Sequence, residues 1–201
     1  MKKLLNEITF SNINISYPTK LNDNMYKFAL YYLNEENAPI EFYSKQLYFI
    51  TIKENVCELH IKEKNELSFF NTLHKYLLEL LYKNHDQWFE NSYEEKKFNA
   101  MFKNYLHPNI EKNAVNIHCN IDSNLIETLR ENDNYEVYPT FKLKSILFDE
   151  INFYIDLELS EFVLSNKTIG EPSIVEKKEN DGIEVEENNN DLEENNNDLE
   201  E

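Results

Sequence analysis

Glycine is nearly missing from this chain: Gly170 and Gly182 are the only two. Loops that cradle phosphate need glycine where the backbone meets the ligand. Walker, dinucleotide and kinase loops are therefore excluded, as is a glycine-flanked nucleophile elbow. Arginine is rarer still, with Arg130 alone. Lysine and asparagine in place of arginine and glycine is the bias that AT-rich coding produces. Two cysteines, Cys57 and Cys119, are too few for a disulfide framework and fit a reducing compartment. No apolar run approaches the length of a membrane span. Met1-Lys2-Lys3-Leu4-Leu5 is basic then apolar, but Asn6 and Glu7 cut it short, so no signal peptide is expected.

Acidic residues are plentiful: 38 Asp and Glu stand against 20 Lys and Arg, a net charge of −18. The imbalance is uneven. Residues 166–201 hold 13 acids and 3 lysines, and they end in Glu-Glu-Asn-Asn-Asn-Asp-Leu read twice, followed by Glu200 and Glu201. With no aromatic and few apolar side chains, this stretch cannot offset the entropy of ordering it, and a disordered acidic tail is expected. Residues 1–165 keep a net charge of −8 and enough apolar residues for one domain with its own core. A nucleic-acid binder of this composition would need a local basic stripe. A tethered polyanion could compete for such a stripe or dock on a basic partner.

Period-two patterning predicts short strands over residues 8–17, 27–33, 40–43, 47–52 and 56–61, with polar breaks between them. The period then changes. Leu67, Phe70, Leu73, Leu77 and Leu81 recur at helical steps and predict a helix over 66–82. A second helix is expected from Ser92, as N-cap, to Tyr105, closed by His107-Pro108. Strands return over 113–121, 135–147 and 151–164, with Phe148-Asp149-Glu150 connecting a terminal hairpin. The predicted class is mainly β with a helical insert.

No carboxylate pair and no nucleophile–base set has a spacing that marks a catalytic centre, so neither an enzyme nor a cofactor is expected. Cys57-x-x-His60 with His118-Cys119 is the one metal-like set. Alternation puts Cys57 and His60 on opposite strand faces, so no metal is expected. Tyr138-Pro139-Thr140-Phe141-Lys142-Leu143-Lys144 is the most informative ordered stretch. Alternation places Tyr138, Lys142 and Lys144 together on the face opposite Phe141 and Leu143. Cations that track a backbone beside an aromatic that stacks on bases is the chemistry of single-strand binding surfaces. It is also what an ordinary solvated strand face looks like. Trp88, the only tryptophan, is either a core plug or a stacking platform.

Three stretches together resemble a family. Asn84-His85-Asp86-Gln87-Trp88-Phe89 follows a long helix, Tyr105-Leu106-His107-Pro108 closes a short one, and Tyr138–Lys144 forms a late strand ahead of an acidic tail. In these features the chain resembles the OB-fold single-stranded-DNA-binding proteins of short-tailed coliphages and their counterparts in nucleocytoplasmic large DNA viruses. It departs from them in lacking one proline of a Tyr-Pro-Pro pair and in a tail without a terminal aromatic. The resemblance implies an OB-fold-like barrel over 1–165 that coats single-stranded DNA in viral replication, recombination or repair. Tyr43, Lys45, Tyr48, Tyr138, Lys142 and Lys144 would line its groove, with Trp88 as a further member. The tail would recruit replication proteins, and a homodimer is compatible with this reading. The site of action would be intracellular, cytoplasmic or nuclear. Two rivals remain open: an acidic β-domain that binds a basic protein in the manner of a histone chaperone, and a structural virion protein. Whether Lys20, Lys27, Lys45, Lys142 and Lys144 share one groove or scatter separates DNA from a basic partner.

Overall fold

Alternating apolar residues pair these segments into strands, and the pairing closes on itself. A computed structural model of the chain describes residues 2–33, 39–53, 56–89, 93–109, 114–126 and 134–165. The strands are β1 (Lys2–Leu4), β2 (Ile13–Ile15), β3 (Thr19–Asn22), β4 (Met25–Tyr32), β5 (Ile40–Tyr43), β6 (Tyr48–Lys53), β7 (Val56–Ile61), β8 (Leu106–Asn109), β9 (Ala114–Ile121), β10 (Asn134–Phe148) and β11 (Phe153–Leu164). The α-helices are α1 (Lys64–Trp88), α2 (Glu95–Met101) and α3 (Ser123–Ile126). The acidic tail and Ser92 lie outside the described residues, and with them the expectations of a disordered tail and of a Ser92 cap.

Five strands form a closed barrel. β6 pairs antiparallel with β7, and β7 with β9. β9 runs parallel to β11, β11 pairs antiparallel with β10, and β10 returns to β6. This is an OB-fold-like barrel, and closure leaves these strands without open edges. The long strand β10 does more than close it. Its start lies against β6, its middle against β5 and its end against β4. The N-terminal strands are therefore an extension of the barrel sheet, with β1 added beyond β5 and β2 and β3 beyond β4.

The helical insert between β7 and β8 covers the barrel. Glu66, Phe70, Leu73, Leu77, Leu81 and His85 fall on the buried side of α1 at steps of three and four residues. Phe70 meets Phe42, Tyr105 and Phe141 with ring centroids 6.2, 6.3 and 5.4 Å apart. α2 is shorter than expected. After Met101 the chain turns extended because Phe102 bridges to Phe153, and Lys103 donates its backbone N–H to the Phe153 carbonyl. Tyr105 is then buried, and its hydroxyl donates to the Phe70 carbonyl on α1.

Candidate nucleic-acid interface

β10 positions the expected basic residues, but its phase breaks once. Phe141 and Leu143 face the core before a bulge between Leu143 and Ser145, and Ile146 and Phe148 face it afterwards. Lys144 and Ser145 therefore both sit on the outer side, a spacing a bulge creates and a regular strand forbids. The outer row holds Tyr138, Lys142 and Lys144. Tyr138 is 39% exposed. Tyr43, opposite Thr140 in the ladder, shares this face, as does Glu41 opposite Lys142.

Lys142 and Lys144 line an open groove of about 540 Å³ together with Lys27 of β4, Ala29 and Pro39. Three of the five mapped lysines thus share one groove. The other two lie apart. Lys45 lines a different cavity with Glu63 and Glu66, and Lys20 pairs with Asp23 at 3.2 Å in the β3–β4 turn. The groove lysines are themselves partly compensated. Lys142 Nζ lies 3.6 Å from Glu41, and Lys144 donates to the buried Glu158. A polyanion entering the groove would exchange these carboxylates for its phosphates rather than meet bare charge.

Besides Lys45, two further expected members stand elsewhere. Tyr48 is 1% exposed. It begins the inward row Tyr48, Ile50, Ile52 of β6, and its hydroxyl donates to Glu66 on α1. Its ring is inside the barrel and offers no face to a base. Trp88 is half-buried at the end of α1, with its ring 5.0 Å from Phe28. Tyr26 and Phe28 face Trp88, and by strand alternation Lys27 and Ala29 face the other way. β4 therefore separates Trp88 from the lysine groove.

The barrel's own second and third strands, β7 and β9, carry Glu58, His118 and Asn120 on their outer side in place of lysine. His118 Nε2 lies 3.5 Å from Glu58, and its ring is 4.1 Å from that of His107. Cys57 and Cys119 oppose each other on the inner side. Burial and the neighbouring Cys119 push the Cys57 thiol far above its ordinary pKa. His60 bonds Asn116 at 2.6 Å on the outer side. The Cys2His2 set does not converge, and among the described residues no group of three or more His, Cys, Asp or Glu is arranged to hold a metal ion.

Lys27 was legible only as one lysine among many, because its neighbourhood depends on β4 reaching β10 across the chain. Glu66 carried a clearer signal, a carboxylate on the apolar stripe of α1. Compared with known proteins, the chain matches no family model, no curated protein and no solved structure.

Proposed function

We propose that the protein binds single-stranded DNA along the outer face of β10, in the manner of the single-stranded-DNA-binding proteins that its sequence resembles. The observation that supports this most is the convergence of Lys27, Lys142 and Lys144 on one groove, beside Tyr43 and Tyr138. Lysines spaced along a strand meet successive phosphates, and half-exposed tyrosines accept bases on their rings. The barrel supplies a rigid support for both. On this reading the acidic tail competes for the lysines or recruits basic replication partners, and no chemistry is performed on the bound strand.

Anisotropy titration of labelled oligo-dT with the protein lacking residues 166–201 tests the reading. Binding in the micromolar range or tighter is expected, with duplex much weaker. Displacing cations at three phosphates gives a slope of log K against log salt of about −2. Absence of binding at low salt would remove the proposal. Lys27→Ala with Lys142→Ala should weaken binding to all sequences alike and flatten that slope, since phosphate contacts carry no sequence information. Lys144 calls for a paired change, Lys144→Ala with Glu158→Gln, because Lys144→Ala alone strands a buried carboxylate.

A further inference from the structure

On the side of β4 away from the lysines lies a second cleft, of about 550 Å³, with the opposite chemistry. Tyr26, Trp88, Phe89, Tyr93, Phe148 and Glu150 line it. The rings stand at steep angles. Phe89 is 88° from Tyr93 and 77° from Phe148, and Trp88 is 52° from the fully buried Phe28. Rings so steeply inclined to one another do not form one flat platform for stacking. The face of an aromatic ring carries the negative end of its quadrupole, so a cation placed among several faces is attracted by each. Tyr93 already shows this preference: Lys97 Nζ of the same chain lies 5.5 Å from its ring centroid.

Among the described residues that line the cleft, Glu150 is the only charged one. It makes no hydrogen bond or ion pair among the described residues, whereas its neighbour Asp149 is engaged by the Tyr154 hydroxyl and by the backbone N–H groups of Ile151 and Asn152. Glu150 also stands at φ 71°, in the left-handed region that costs a non-glycine residue energy. The β10–β11 turn thus holds an unpaired carboxylate at the mouth of an aromatic box. A nucleotide would bring its phosphate against that carboxylate. An uncharged apolar segment would desolvate it without return. A cation meets both the rings and the carboxylate.

We infer that this cleft binds the alkylated ammonium of a methylated lysine carried on a basic protein. Methyl groups lower the cost of stripping water from the ammonium while leaving its charge, which suits rings flanked by one carboxylate. The volume is within the range of sites that take a side chain together with part of its backbone. This site is independent of the lysine groove and of any role in binding DNA.

The chain of residues 1–201 carries its own reporter, since Trp88 is its only tryptophan. Its fluorescence would be followed during titration with a short basic peptide bearing trimethyl-lysine. The same peptide bearing the uncharged tert-butyl isostere and thymidine monophosphate would be titrated in parallel. A saturable change with the charged peptide is expected, with the isostere about tenfold weaker or more and the nucleotide weaker still. Glu150→Gln keeps the size of the turn residue and should weaken the charged peptide several-fold without changing the isostere. Tyr26→Leu should weaken both peptides, with circular dichroism and thermal midpoint reporting that the fold is intact. Equal binding of isostere and charged peptide would overturn the inference in favour of a plain apolar cleft. Tighter binding of the nucleotide would overturn it in favour of base stacking. No saturable change with any of the three would overturn it outright.

Discussion

Glu66 shows how one side chain departs from the pattern around it. It occupies a core position of α1, where Leu or Phe would be ordinary, and it is received by the hydroxyls of Ser44 and Tyr48. Burial raises its pKa above the ordinary carboxylate value, against the lowering effect of the two hydroxyls. The folded state therefore holds the proton more tightly than the unfolded chain. Stability from this group is complete below the unfolded pKa, near 4.5, and is lost as pH rises through the folded value. Glu66→Gln removes the titration. The Tm of the variant relative to the wild type is thus expected to rise as pH goes from about 4.5 to about 8, measured by thermal scans across that range. A difference that stays constant with pH would show that Glu66 does not titrate between folded and unfolded states. Tyr48 belongs to the same arrangement. Its aromatic ring suggested a nucleic-acid surface, yet its place in the inward row of β6 gives it to Glu66.

The elements differ in how plainly they could be read. α1, 25 residues and about 37 Å long, was legible over residues 66–82, where its apolar stripe repeats at helical steps. Its extension from Tyr82 to Trp88 was not, since Asn84, Asp86 and Gln87 blur the stripe while His85 continues it. Leu77 is fully buried on this stripe, and Leu77→Ala is expected to cost about 2–5 kcal/mol, measured by denaturant unfolding. The β10–β11 hairpin was legible from its two long alternating runs. The bulge at Lys144 was not, because no residue type marks it. The alternation that placed Tyr138 and Lys142 outward was right in local sequence and silent about β4, whose Lys27 completes the groove. β1, β3 and β8 are only three or four residues long, too short for a period to show, and of the strand expected over residues 8–17 only β2 forms, with Phe10–Asn12 a 3-10 turn instead. The candidate site was thus half legible: its β10 row could be read locally, while Lys27 and the exclusion of Trp88 follow from pairings distant in sequence.

For the whole molecule the controlling quantity is charge. With a net of −18, of which residues 166–201 supply −10, any anion approaches against a repulsive field, and on the proposed function a tethered polyanion competes with DNA for the lysines at high effective concentration. Deleting residues 166–201 is therefore expected to tighten binding to oligo-dT at low salt, with the gain shrinking as salt screens the tail. Anisotropy at two ionic strengths measures it. Unchanged affinity would leave the tail a docking or solubilising segment, and weaker binding would assign it to assembly on DNA. The three-way role of β10 has a consequence for synthesis. Ala29 on β4 pairs with Ser145, so the N-terminal strands leave the ribosome more than a hundred residues before the strand that receives them. At ordinary translation speeds they wait for roughly ten seconds with their aromatic rows uncovered. For that interval the nascent chain is a client for chaperones, and a messenger that slows elongation before β10 would lengthen its exposure to aggregation.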